Sequence, residues 1–262
     1  MHILDLGDIQ LHWREDGDPA GWPVVFANAL GTDFRLWDRI VPLLPKSLRL
    51  IRYDMRGHGL SSCPPGPYAM GALVRDAERL LDALGVKDCV FVGLSIGGMV
   101  AQGLAVKRLD LVRALVLSNT AAKIATPALW ADRIAAVREG GIEAVADATM
   151  ERWFAKPLRE GAEILGWRTM VTRQPVEGYL GCMAAISGTD FYTPTSGLTL
   201  PALVIAGAED GSTPPDLVRE TAELIKGARF ELIRGAGHLP CVDRPAEFAG
   251  VLCGFLAGIG HG

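Results

Sequence analysis

The sequence predicts a mostly parallel, doubly wound α/β sheet that opens with an antiparallel hairpin and carries an inserted block of helices. Three observations predict it. The runs VVFANAL, LRLIRYDM, CVFVGLS, VRALVLSNT, LPALVIAGAE and RFELIRGAG are apolar without alternation, which suits strands covered on both faces. Helical patterns separate most of them, so right-handed crossovers between parallel strands follow. One interval, Ala121 to Thr195, holds helical patterns only.

Taken in order, the hairpin comes first: Ile9, Leu11 and Trp13 alternate with Gln10, His12 and Arg14, the two-residue period of a half-buried strand. Between LRLIRYDM and CVFVGLS, the segment Ala69 to Gly85 places Leu73, Ala77, Leu80, Leu81 and Leu84 on one helical stripe, with Gly85 as a left-handed stop. GGMVAQGLAV is a helix directly after CVFVGLS. Pro214 to Gly227 and Pro245 to Ile259 each begin at a proline suited to a first helical turn. The expected division is a core of residues 1–120 and 196–262 with a helical cap at 121–195. The tract 121–195 is punctuated by Gly140, Gly141, Pro157, Pro175 and Gly188. No internal repeat or low-complexity tract interrupts this plan.

Composition narrows the partners. Among 262 residues, 26 Lys+Arg face 30 Asp+Glu, a net charge of −4, which argues against nucleic acid or an anionic membrane surface. No apolar run approaches the roughly 20 residues of a membrane span. MHILDLGDIQLHWRED carries acids where a secretory signal needs a basic start. The five cysteines, Cys63, Cys89, Cys182, Cys241 and Cys253, form no C-x-x-C pair, so neither a zinc site nor a disulfide framework is expected and a cytoplasmic location is. Cys89 and Cys253 read as core residues.

The chemistry centres on Gly93-Leu94-Ser95-Ile96-Gly97, a G-x-S-x-G between a buried strand and a helix. That setting puts Ser95 on a sharp elbow, where side chains at Gly93 and Gly97 would collide with the returning backbone. A serine hydroxyl needs a base, and the base needs an orienting acid. His2, His261 and His12 are expected to face solvent, whereas His238 follows RFELIRGAG in a glycine-rich loop. Asp210 ends PALVIAGAED. Glu209 is its rival, but neighbouring strand side chains point opposite ways, and Asp210 is preferred. The order Ser, Asp, His differs from both chymotrypsin-like and subtilisin-like proteases. An oxyanion hole needs two backbone N–H groups: Ile96 supplies one, and Leu30 in Asn28-Ala29-Leu30-Gly31 the other, with Asn28 bracing that loop. His58, in RGHGLS, reads as a turn residue with satisfied polar groups. Asp54 and His58 are too few for a zinc site.

VVFANALG, YDMRGHGLSS, GLSIGGM, VIAGAED and GAGHLPCVDRP together resemble the α/β-hydrolase family over nearly the whole chain. NALGTDFRLWD, ERWFA and PVEGYLGCMAAISGTDF are similar to the 3-oxoadipate enol-lactonases within it. In one place the chain departs from that pattern: Ser187-Gly188 stand where Arg-Asp usually follows Ala-Ala-Ile. The resemblance implies the α/β-hydrolase fold and a cofactor-free serine hydrolase that opens an anionic lactone in aromatic-compound catabolism. Ser95 would be the nucleophile, His238 the base and Asp210 its orienting partner. For the substrate carboxylate, Arg133 shares a helical face with Trp130, Ile134 and Val137; it is either an anion binder or a snorkelling surface residue. Arg152 is the next candidate, and Trp153 reads as a wall of the site. A carboxylesterase, a perhydrolase and a meta-cleavage-product C–C hydrolase would share these residues. Haloalkane dehalogenases and epoxide hydrolases need a carboxylate in place of Ser95. A non-catalytic small-ligand receptor is the alternative from another class.

Overall fold

The computed structural model describes residues 1–262. Strands β1 (His2–Asp5), β2 (Gln10–Gly17), β3 (Trp22–Ala27) and β4 (Leu48–Tyr53) precede helix α1 (Met70–Ala83). Strand β5 (Cys89–Leu94), helix α2 (Ile96–Lys107) and β6 (Val112–Ser118) follow. Next come helices α3 (Pro127–Gly140), α4 (Glu143–Trp153), α5 (Lys156–Arg159), α6 (Ile164–Thr172), α7 (Val176–Ser187) and α8 (Tyr192–Ser196). The chain closes with β7 (Ala202–Gly207), α9 (Pro215–Leu224), β8 (Arg229–Ile233), α10 (Pro240–Asp243) and α11 (Pro245–Gly258).

The eight strands form one sheet in the order β1-β2-β4-β3-β5-β6-β7-β8. Only the β1–β2 and β2–β4 pairs are antiparallel. The sheet is mostly parallel, as the runs of apolar residues predict, and its strand order is that of the α/β-hydrolase fold that the resemblance implies. Every residue of β5 and β7 is buried, because helices cover both faces. The chain passes from β3 to β4 on one side and to β5 on the other. The carboxyl ends of β3 and β5 therefore flank a topological switch point, where open α/β sheets bind ligands.

Helix α1 buries Leu73, Ala77, Leu80 and Leu81 as one stripe and ends before Gly85, which takes φ +63°. Helix α9 is shorter than its pattern predicts, because Ile225 is extended and stops it ahead of Gly227. The helices between β6 and β7 reach the sheet side through α7. A Cβ on Gly178 would lie 2.2 Å from the backbone of Gly57, and one on Gly181 2.6 Å from the Tyr68 ring, so both glycines permit close approach. No helix is long and apolar enough to cross a membrane.

Two histidines expected in solvent are buried. His12 is only 7% exposed, because the loop that follows β3 covers the outer face of β2; its Nδ1 lies 2.8 Å from Asp54 and its ring packs on Phe34. His261, 1% exposed, folds back on the start of the central strand β3, with Nε2 donating to the carbonyl of Pro23 at 3.0 Å and its ring against Trp22. Simple alternation along β2 fails for that reason. Cys89 is fully buried, whereas Cys253 is only partly so.

Candidate active site

Ser95 sits between β5 and α2 with φ 58° and ψ −121°, a strained conformation for a residue with a side chain. The elbow is held by its N–H bonded to Ser118 O at 3.0 Å and by Thr120 Oγ1 donating to Ser95 O at 2.6 Å. A Cβ on Gly93 would lie 2.2 Å from Gly97 O, and one on Gly97 2.4 Å from Ala27 O. Glycine at both positions is therefore a steric requirement of the turn.

Asp210 and His238 follow β7 and β8 and are both buried. Asp210 Oδ2 lies 2.8 Å from His238 Nδ1, and also accepts from Asn119 Nδ2 at 2.8 Å and Thr213 Oγ1 at 2.7 Å. Its Oδ1 accepts the N–H groups of Ser212 and Thr213. Burial works to raise the Asp210 pKa, but the His238 charge and the hydrogen bonds from His238, Asn119 and Thr213 outweigh it and hold the carboxyl below its usual range. With Nδ1 committed to Asp210, Nε2 is the imidazole nitrogen free for chemistry. Ser95 and His238 line one cavity, and no direct hydrogen bond joins them in this structure. Such bonds commonly tighten only around a bound substrate.

Helix α4 clamps the loops that carry these two residues. Its carbonyls at Arg152 and Trp153 accept from Gly211 N at 3.0 Å and His238 N at 2.7 Å. The Trp153 indole lies nearly parallel to the imidazole, centroids 6.0 Å apart. Asp243 Oδ2 accepts from Gly237 N at 2.7 Å and Ala155 N at 3.5 Å, and burial pushes its pKa up to about 6.

Leu30 and Ile96 present backbone N–H groups that nothing within the protein uses. The Leu30 N–H has no acceptor among the loop hydrogen bonds, and Ile96 opens α2, where the first amides have no partner in the helix. Asn28 braces the Leu30 loop: its Nδ2 donates to Tyr53 O and its Oδ1 accepts from Trp37 Nε1, both at 2.8 Å. His58 lies beneath the same loop and outside the cavity lining. It is fully buried, Nε2 accepts the Gly31 N–H at 2.9 Å, and burial lowers its pKa to about 4, so it is a neutral structural acceptor.

The cavity wall is completed from the helices. Trp130 and Arg133 of α3, Val145, Thr149, Arg152 and Trp153 of α4, and Tyr179, Met183 and Ile186 of α7 all line it. Arg133 carries its guanidinium 5.2 Å from the Trp130 ring centroid. Arg152 bonds Thr149 Oγ1 at 3.1 Å, and its buried Nε has no partner. Neither arginine is paired with a carboxylate, and no acidic side chain lines the cavity. Burial lowers both guanidinium pKa values, and the Arg152 charge lowers that of Arg133 further. The cavity measures about 50 Å³, below the ~300 Å³ of common ligand pockets. A wider cleft of about 450 Å³ lies beside His12, Asp54 and Arg173. It contains no serine or cysteine, and the site with the strained serine is the better candidate despite its size.

Sequence reasoning missed Asn119, Thr213 and Tyr179. Asn119 adopts φ +47° at the end of β6, where a polar residue capping a buried strand was the available signal. Thr213 stands three residues after Asp210 in a side-chain-capped turn, whose Asp-Gly-Ser-Thr signature is legible in retrospect. Tyr179 reaches the site only through the packing of α7, for which the sequence holds no local cue.

The alpha/beta hydrolase family profile matches residues 24–251. The chain is 32% identical over 247 residues to 3-oxoadipate enol-lactonase 2 of Acinetobacter baylyi, covering 94% of this chain and 92% of that one. The solved enol-lactonase of Burkholderia xenovorans superposes with a TM-score of 0.94 at 35% identity, covering 98% of this chain and all of that one (100%). A thermophilic esterase from Thermogutta terrifontis, solved with malate bound, gives 0.90 at 29% identity, over 97% and 95% of the two chains. The chain therefore belongs to the alpha/beta hydrolase family and is a hydrolase similar to the enol-lactonases.

Proposed function

We propose that the protein opens the ring of 3-oxoadipate enol-lactone to 3-oxoadipate through an acyl-enzyme on Ser95, in the catabolism of aromatic compounds. The observation that carries this is a strained serine and a histidine backed by buried Asp210, the serine and histidine lining one cavity whose only charged wall residues are arginines. Likeness to enol-lactonases across nearly the full chain supports the substrate. Residues 121–195 act as a cap over a core made of 1–120 and 196–262. Unpaired cysteines throughout suit a cytoplasmic setting.

In this mechanism Ser95 Oγ attacks the lactone carbonyl as its proton passes to His238 Nε2, and Asp210 stabilises the imidazolium. The Leu30 and Ile96 N–H groups receive the tetrahedral oxyanion, each donor contributing about 3 kcal/mol by analogy with other oxyanion holes. Collapse breaks the ring C–O bond and His238 protonates the leaving enolate. Water, deprotonated by His238, then cleaves the ester and restores Ser95. The enol tautomerises to the ketone, and every proton is accounted for without a metal or organic cofactor. Arg133 receives the substrate carboxylate, with Trp130 and Trp153 as flat apolar walls.

The test compares kcat/KM for the enol-lactone, p-nitrophenyl acetate and a meta-cleavage product, with Ser95→Ala alongside. The expected result is a preference for the lactone of about a hundredfold or more, lost with the serine. Preference for the simple ester points to a general esterase, and tight ligand binding without turnover points to a receptor.

A further inference from the structure

The helical wall brings two guanidinium groups into one cavity and no carboxylate with them. A buried or half-buried arginine in a folded protein is ordinarily paired, because an uncompensated charge inside the protein is expensive. This molecule follows that rule elsewhere: Arg56 is bidentate to Asp76 at 2.6 and 2.7 Å, and Arg52 is flanked by Asp16 and Asp38 at 2.6 Å each. Arg113, half-buried and also without a carboxylate, donates instead to Ile259 O at 2.8 Å; Arg133 and Arg152 lack a carboxylate as well, and both line the same space. Arg133, on α3, carries its guanidinium over the Trp130 ring. Arg152 approaches from α4, held by Thr149, and keeps a buried Nε–H with no acceptor.

We propose that Arg152 is a second anion contact, separate from Arg133, so that the cavity accommodates both carboxylates of a linear dicarboxylic acid. The proposal rests on the hydrolytic reading above and adds a residue that sets its preference for dicarboxylates. Hydrolysis of a lactone that already bears one carboxylate consumes water, breaks the ring C–O bond and releases an acid that ionises with loss of a proton. The ligand thus changes from one negative charge to two as it reacts. One arginine holds the charge present from the start. The other receives the second carboxylate once water has released it from Ser95 and the oxyanion donors. Arginine suits both tasks because its planar fork donates two parallel hydrogen bonds to a carboxylate. The consequence is strong product inhibition by a dicarboxylate and a weak response to a monocarboxylate of the same length.

The experiment measures competition by adipate and by hexanoate, two six-carbon acids, against p-nitrophenyl acetate hydrolysis in wild-type protein, Arg152→Met and Arg152→Lys. The wild-type inhibition constant for adipate is expected to be at least about tenfold below that for hexanoate, and the ratio falls to near one in Arg152→Met, with Arg152→Lys between. Calorimetric titration of both acids into Ser95→Ala gives the same ratio without turnover. A wild-type ratio near one overturns the proposal, whether or not either variant folds. A ratio unchanged in soluble Arg152→Met overturns it as well. Absence of ester hydrolysis in the wild type speaks instead against the hydrolytic reading, and the calorimetric ratio then still tests Arg152.

Discussion

The sheet side of the cavity and its helical wall differ in how completely their polar groups are used. On the sheet side, Asp210 receives hydrogen bonds from Asn119, His238 and Thr213 and from two backbone amides, and Ser95 is fixed at the elbow by its own backbone. The groups left over are those a reacting carbonyl would engage: Ser95 Oγ, the second imidazole nitrogen and two amide N–H groups. On the helical side, two guanidinium groups stand without counter-charges among tryptophans and a tyrosine. Such a contrast separates labour. On the proposed function, the sheet supplies a preorganised field that costs no reorganisation during reaction, and the helices supply an electrostatic demand that a ligand satisfies.

The largest effects are expected from breaking the sheet side. His238→Ala removes the proton shuttle and lowers kcat by about a million-fold, to the residual level set by binding and the oxyanion donors. Asp210→Asn keeps the shape but offers the imidazole an amide, and kcat falls by about ten-thousandfold. Steady-state kinetics with p-nitrophenyl acetate, with thermal unfolding recorded for each variant, checks both. A cooperative, folded Asp210→Asn protein with nearly normal kcat removes Asp210 from the mechanism and leaves Glu209 to be tested.

The same contrast explains what could be read from the chain. The sheet side was legible because its rules are local. A continuous apolar run ends, a glycine or an acid follows, and the residue at the strand's carboxyl end is fixed by topology. Ser95, Asp210 and His238 all stand at such ends; Ser95 and His238 line one cavity, and Asp210 is bonded to the imidazole behind it. The helical wall was only partly legible. Arg133 follows Trp130 at a three-residue spacing, so their shared face could be inferred. Which face of α7 turns inward depends on two glycines that meet the Gly57 backbone and the Tyr68 ring, and no local pattern reports that. His12 failed for a related reason: its cover comes from a loop some twenty residues further along the chain.

Changing the helical wall sharpens the comparison on a smaller scale. Arg133→Ala is expected to raise KM for the anionic lactone by about ten- to a hundredfold, the range of a charge-assisted hydrogen bond, and to leave KM for a neutral ester within about threefold. The kcat values for the neutral ester should change little, since the sheet side is untouched. Equal KM effects on charged and neutral substrates would mean that Arg133 supports the wall through its stacking on Trp130 and has no role in charge recognition.

The smallest effect concerns the joint between the two sides. Asp243 Oδ2 holds Gly237, next to His238, and Ala155, just beyond α4, so one carboxylate ties the histidine loop to the helical wall. Burial raises its pKa from 3.8 to about 6. The folded protein therefore binds this proton more readily than the unfolded chain does, and its contribution favours folding below pH 4 and is lost as pH rises through 6. Both main-chain donors use the same oxygen, so Asp243→Asn can keep Oδ1 as their acceptor and place its amide nitrogen on the other side. Removing the charge should flatten the change in stability between pH 4 and 6, and raise stability at pH 7 by about 1 kcal/mol, a value discounted because the carboxylate is partly solvated. Urea midpoints of the two proteins across that interval decide the matter. Parallel curves would show that solvent already compensates the Asp243 charge, and that the joint is held by its hydrogen bonds alone.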